Sequence, residues 1–197
     1  MGEPARAETP RDRPSKAKRR ILDAAARLFH ERGFARCTVR ELADAVGILS
    51  GSLFHHFRSK DEILFAVMEE VIAEMDAALA EALARAADTE SRLRVLIRTQ
   101  LQFIHGPRGH AAAVLVYEWD ALSPEGQARL LEGRARYFRQ WEEVLDEARQ
   151  AGLTDTDPTV LRQLIHGAVV WTVNWFDPQG PMSVEDLEQA VLALILK

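Results

Sequence analysis

An all-α protein is the fold class the sequence predicts, and three observations predict it. Apolar residues recur at spacings of three and four through one segment after another, and nowhere do they alternate with the period of two that marks a strand. The 197 residues are 47% hydrophobic but only 7% aromatic, with Ala, Leu, Glu and Arg prominent, which is the usage of a helical chain. Capping residues, prolines and glycines punctuate the periodic segments where helices start and stop.

Length and charge bound the possibilities further. The chain suffices for one large domain, or for a small domain fused to a medium one. No apolar run approaches the roughly 18 residues of a membrane span, and the basic N-terminus lacks the apolar centre of a signal peptide, so a cytoplasmic protein without membrane contact is expected. The single Cys37 cannot form a disulfide framework or a cysteine-based zinc site and reads as a partly buried small residue. The net charge of −5 hides an asymmetry: residues 1–60 hold 13 Lys/Arg against 7 Asp/Glu, and the remainder 12 against 23. Positive charge at one end is enough for a nucleic-acid binder, because counterion release is local.

Residues 1–14, proline-rich and without periodicity, read as a disordered basic arm. Arg11, Arg13, Lys16, Lys18, Arg19 and Arg20 could follow a DNA backbone or enter a minor groove, or form an ordinary solvated tail. A first helix is expected from about Ser15 to Arg32 on the stripe Ile21, Leu22, Ala25, Leu28 and Phe29, with Gly33 ending it. Thr38 and Glu41 have capping-box spacing. Val39, Leu42, Ala43 and Val46 then share a face, and Gly47 permits a sharp turn. A second short helix follows from about Ser50 to His56, opening on Ser50, Gly51 and Ser52. Such small residues sit where a helix-turn-helix presents its reading helix to the major groove. Ser59 and Glu62 repeat the capping box, so a long helix should begin at Lys60, with Leu64, Val67, Met68, Val71, Met75, Leu79 and Ala82 along six turns. Tilting that helix is a mechanical route between the two halves of the chain.

Five more helices are expected, at about 91–104, 108–122, 124–151, 158–176 and 184–197. Ser123-Pro124 and Asp157-Pro158 each place a capping side chain before a proline at the first helical position. Val160, Leu161, Leu164, Ile165, Ala168, Val169 and Thr172 are read as one apolar face, with Leu187, Val191, Leu194 and Ile195 facing inward from the last helix. Their surface exceeds what one partner helix covers.

The run Gly47-Ile48-Leu49-Ser50-Gly51-Ser52-Leu53-Phe54-His55-His56-Phe57, followed by Ser59-Lys60-Asp61-Glu62-Ile63-Leu64, resembles the DNA-binding domain of the TetR (tetracycline-repressor) family. The likeness spans about Ser15 to Val67 and departs from the commonest pattern at Phe54, where a Tyr usually sits. It implies a helix-turn-helix domain over 15–62 and an effector-binding and dimerisation domain over 63–197. It also implies a homodimeric repressor on a palindromic double-stranded operator, released by a small-molecule effector. Two half-sites about 34–36 Å apart would supply the affinity. Thr38, His55, His56 and Lys60 are carried over as contacts to the DNA backbone. The reading helix has no Arg, Lys, Asn or Gln, so base readout falls to Arg40, expected at a guanine, and to Ser50, Gly51 and Ser52. Phe54 packs against either the DNA backbone or the domain.

For the effector, aromatic and polar groups between Leu93 and Trp175 suffice to line an apolar pocket, among them His105, Trp119, Tyr137, Phe138 and His166. The expected contacts are Phe103, Tyr117, Trp141, Trp171, Asn174 and Trp175. The stretch TVNWFDPQGPMS weakly resembles regulators that respond to acyl-CoA thioesters, for which Arg134, Arg136 and Arg139 would meet phosphates. No cofactor and no metal are expected, since His55 and His56 point about 100° apart on a helix. The competing readings are a helical enzyme using His105, His110, Glu118 and Asp120, and a DNA-independent interaction module.

Overall fold

The computed structural model describes residues 16–196, and nine α-helices are present among them. The expectation of a basic arm over 1–14 lies outside the described residues. Helix α1, Lys16–Arg32, buries Ile21, Leu22, Ala25, Leu28 and Phe29 and stops at Gly33. There φ is +83°, a backbone region that glycine enters without a Cβ clash. Helix α2, Val39–Val46, starts on the Thr38–Glu41 capping box and ends at Gly47 with φ 72°. Helix α3, Ser50–Leu53, is shorter than expected. His55 and His56 donate to Ser52 and Leu53 in i→i+3 bonds, and the tightened turn carries Phe57 into the core.

Helix α4, Lys60–Leu83, is the spine. Its buried side chains run from Ile63 to Leu83, and it packs against α1 at one end and the C-terminal bundle at the other. Around it stand α5 (Thr89–His105), α6 (Gly109–Tyr117), α7 (Pro124–Gln150), α8 (Pro158–Trp171) and α9 (Val184–Ala193). A carboxylate or hydroxyl caps α5, α7, α8 and α9. Gly133 marks where α7 crosses α4: a Cβ there would lie 2.9 Å from Ile72 Cγ2.

Three helices end earlier than their periodicity suggests. The expected 108–122 helix breaks after Tyr117 into a 3-10 turn at Trp119–Ala121, with the Glu118 carboxylate drawn to the Phe34 N–H. The expected 158–176 helix tightens at Thr172–Asn174. There the buried Thr172 hydroxyl donates to Val169 O at 2.6 Å and lies 2.7 Å from His105 Nε2. Helix α9 closes on i→i+3 bonds at Leu194 and Ile195.

The single apolar face read on α8 is two faces. Leu161, Ile165, Val169 and Thr172 are buried within the chain, whereas Val160, Leu164, Ala168 and Trp171 point outward, as the roughly 100° step per residue requires when both sides are apolar. On α9, Leu187, Val191 and Ile195 are buried while Leu194 is 82% exposed. The carboxylate of Glu188, 1% exposed, is held by Arg98 (2.7 and 3.1 Å) and Arg94 (3.4 Å), fastening α9 to α5. Among the described residues no helix is long and apolar enough to cross a membrane.

Candidate nucleic-acid interface and ligand cavity

The reading helix is anchored from behind and bare in front. Leu53 and Phe57 are buried, which fixes α3 on the domain. Gly51 is exposed, and a Cβ built on it meets nothing within 4 Å. It is also not among the glycines with positive φ. Folding therefore gains nothing from glycine here, although glycine costs a helix about 1 kcal/mol relative to alanine. Arg40 projects from α2 with 86% of its side chain exposed and only a 3.9 Å contact to Asp44. Phe54, His55 and His56 are exposed beside α3, and Ser50 and Ser52 are half-buried at its start.

Two expected backbone contacts are engaged within the protein. The Thr38 hydroxyl accepts from Glu41 N–H at 3.2 Å and donates to Glu41 Oε2 at 2.8 Å. Glu41 also takes the Thr38 N–H and the Arg32 guanidinium, each at 2.7 Å. These bonds, the Thr38 backbone N–H first, hold its carboxyl below the ordinary carboxylate range. Lys60 turns inward rather than toward solvent: its Nζ donates to the carbonyls of Phe34 (2.8 Å) and Cys37 (2.9 Å) and lies 4.2 Å from the centre of the Phe34 ring. Cys37 is itself buried, and burial pushes its thiol up. Sequence reasoning missed Leu49, which occupies the N-cap position of α3 without a capping side-chain bond and is 80% exposed. The Ile48-Leu49 pair just after the turn glycine was the available signal.

The second feature is a cavity of about 390 Å³ lined by α4, α5, α6, the 3-10 turn, α7 and α8. Ile72, Met75, Ile104, Leu115, Val116 and Val170 supply apolar wall, and Gln100, Trp119, Asp120, Arg134, Tyr137, Phe138 and His166 supply the rest. Gln100 Nε2 is 2.6 Å from His166 Nδ1. Burial, followed by the charges of Arg134 and Arg162, holds the His166 pKa down at about 4, so the ring is neutral near pH 7. The Arg134 guanidinium stacks over Trp119 at 4.5 Å, and burial, then Arg162, lowers its pKa. Burial raises that of Tyr137.

None of the six expected effector contacts lines this cavity. Trp141 is fully buried in the core beside Tyr137, and Phe103 packs against the same core. Tyr117, half exposed, lines a narrow adjoining crevice with Val116, Val170 and Val173. Trp171 and Trp175 face outward at 65% and 53% exposure, and the Asn174 amide donates to Trp171 O. Aromatic content points to these helices without distinguishing which side of each faces the cavity. Of the three arginines, only Arg134 reaches the cavity, while Arg136 pairs with Asp76 and Glu132 and Arg139 is exposed.

The residues imagined as an enzyme site do not converge. His105 serves Thr172 and stacks edge-on against Phe176. His110 packs against His30 with ring centres 5.2 Å apart. Glu118 accepts from Phe34 N–H, and Asp120 stands on the cavity wall. Among the described residues no three His, Cys, Asp or Glu side chains are grouped to hold a metal.

The two features are joined by α6. At its start Arg108 binds Asp23 of α1 (2.8 Å) together with Glu70 (2.9 Å) and Glu74 (2.6 Å) of α4. Arg19 grips the same two glutamates at 3.0 and 2.7 Å. At its end Glu118 Oε1 accepts from Phe34 N–H at 3.1 Å, and Phe34 O is held by Lys60.

A bare helix-turn-helix face fastened to a helical body with a cavity is the arrangement of a DNA-binding transcriptional regulator. The comparisons agree. The family profile described as bacterial regulatory proteins, tetR family, matches residues 21–67, and the tetracyclin repressor-like C-terminal domain profile matches residues 86–197. The chain belongs to the TetR family. It is 32% identical over 181 residues to the HTH-type transcriptional repressor KstR2 of Mycobacterium tuberculosis, covering 89% of each chain. Among solved structures it is similar to the superantigen PfiT (48% identity, TM-score 0.80, 94% of this chain and 98% of that one). It is also similar to AibR in complex with isovaleryl coenzyme A and operator DNA (26% identity, TM-score 0.84, 92% and 98%).

Proposed function

We propose that this protein is a cytoplasmic homodimeric repressor that binds a palindromic operator and lets go when a small apolar effector fills the cavity. The observation that carries the DNA reading is Gly51, a glycine on the exposed reading helix for which the fold has no use. Ser50, Gly51 and Ser52 let the backbone close on base edges, Arg40 reaches a guanine, and Leu49 meets a thymine methyl or sugar. Phe54, His55 and His56 set register on the phosphates. Thr38 contributes only if its hydroxyl gives up Glu41, and Lys60 acts chiefly by bracing the loop between α1 and α2.

A second copy of the chain covers the outward face of Val160, Leu164, Ala168 and Trp171 on α8 together with Leu194 beyond α9. The domain division at about residue 62 falls in the first turn of α4, a helix that also walls the cavity through Ile72 and Met75. An occupant pressing on α6 therefore works against pins at both ends of that helix, and the DNA-reading unit is what those pins hold. AibR was crystallised with isovaleryl coenzyme A and operator DNA, which favours an acyl thioester as the first effector to try.

The experiment is an electrophoretic shift with DNA from upstream of the protein's own gene, repeated with isovaleryl coenzyme A and longer acyl thioesters. A specific complex that dissolves with one of them is expected. Binding indifferent to duplex sequence would refute the reading.

A further inference from the structure

The cavity carries more hydrogen-bonding chemistry than an apolar occupant needs. Gln100, 1% exposed, has its amide nitrogen against His166 Nδ1, while its carbonyl Oε1 has no partner among the described residues. A neutral imidazole offers Nδ1 as an acceptor when the facing group is an amide N–H, so the bond to His166 sets which end of the amide is left over. Tyr137, 4% exposed, is on the same wall; its hydroxyl oxygen faces the Trp141 indole N–H, and among the described residues its proton has no acceptor. Buried polar atoms are nearly always paired, and each exception calls for an explanation. Here Gln100 Oε1 and the Tyr137 O–H belong to two residues that line one cavity.

A third group lies close by. Arg134 is three residues before Tyr137 on α7, hence on the same helical face and about 5–6 Å away at Cβ. Among the described residues it makes no ion pair; its charge rests on the Trp119 ring. Asp120, also on this wall, is exposed and does not pair with it. Gln100, His166, Tyr137 and Arg134 thus share one cavity, with the Arg134 charge felt at His166, and the rest of its lining is mainly aliphatic and aromatic.

We infer that the cavity selects a β-hydroxyacyl effector, whose acyl or carboxylate oxygen meets Arg134 and whose nearby hydroxyl donates to Gln100 Oε1 and accepts from Tyr137. A hydroxyl is the neutral group that both donates and accepts through one oxygen, and the short helical spacing places it a few bonds from the acyl oxygen. The aliphatic wall takes the chain. The inference rests on the effector-cavity reading above, and the same chemistry can arrive as a free acid or as a thioester.

The test measures binding of decanoate, 3-hydroxydecanoate and 10-hydroxydecanoate, and of the coenzyme A thioesters of the first two, to the full-length protein by calorimetry. The 3-hydroxy compound should bind about tenfold more tightly than its unsubstituted counterpart in the acid series, the thioester series or both, as one buried hydrogen-bonded group allows. The series that binds more tightly identifies the source. Gln100→Leu should bring the ratio to within about twofold while keeping decanoyl binding, and Tyr137→Phe should lower it. Equal or weaker binding of the 3-hydroxy compound in both series, or a preference for the 10-hydroxy isomer, overturns the inference in the unmodified protein, whatever the variants do. If none of the five binds, the effector-cavity reading falls with it. If decanoyl compounds bind and release DNA without any hydroxyl preference, only the present inference falls.

Discussion

Replacing Glu118 by Ala removes one of the pins between the cavity and the reading unit, and the structure gives its size. A hydrogen bond from a backbone N–H to a charged carboxylate contributes about 1.5–3 kcal/mol. Glu118 is only partly buried, and water can replace it at the Phe34 N–H, so we take about 1 kcal/mol. If effector and operator are coupled by about 1–3 kcal/mol in total, losing that pin should shrink the effector-induced drop in operator affinity about fivefold. The assay is fluorescence anisotropy of a labelled operator with and without saturating effector, paired with calorimetry of effector binding. Effector affinity should not fall, because Glu118 does not line the cavity, and should rise by at most about fivefold because the occupant no longer works against that pin. Glu118→Gln, which retains an acceptor, should fall between wild type and Ala. Undiminished coupling in a folded Ala variant would refute this route, and loss of effector affinity would show that Glu118 acts on the cavity instead.

Other consequences follow from the same geometry. Gly51→Ala should raise stability by about 0.5–1 kcal/mol, read as a higher Tm, yet weaken operator binding about tenfold or more; unchanged binding would remove α3 from the interface. Arg40→Ala should cost about 1–3 kcal/mol and relax one base position, whereas a uniform loss across operator variants would make Arg40 a phosphate contact. Leu164→Asp places like charges across the two-fold interface and should give monomers by analytical ultracentrifugation; an intact dimer would exclude the α8 face. The His166 pKa is held near 4 in the fold against about 6.5 unfolded, so the unfolded chain binds the extra proton between those values. Stability should therefore fall as pH drops from about 6.5 to about 4, by about 3 kcal/mol for that group, and be independent of it above pH 7. His166→Gln should flatten this part of the profile in denaturant titrations, and an identical slope would contradict the assignment.

Much of the fold was legible because helix starts are local chemistry. The Thr38–Glu41 box, the Ser59 cap and the Pro124 and Pro158 starts each involve residues within one turn, and each lies where the spacing predicted. Helix ends were less legible because distant partners set them. Thr172 tightens α8 beside His105, 67 residues away in sequence, and Glu118 leaves α6 for Phe34, 84 residues away. The cavity was the least legible part. Periodicity shows that α8 is apolar on two sides but not which side meets the chain's own core, so Trp171 was read inward and stands outside. Gln100, an ordinary polar residue in the sequence, gains its meaning only from burial beside His166. The family pattern implies Lys60 at a phosphate, but the carbonyls of Phe34 and Cys37 lie within its reach.

Selection from a random duplex pool at moderate salt, followed by footprinting of the enriched sequence, tests the central claim most directly. The account predicts one enriched motif with two-fold symmetry, protected over two half-sites about one helical turn apart, with protection lost in the Gly51→Val variant. A pool that stays random through the selection, or an enriched site bound equally well by that variant, would contradict it.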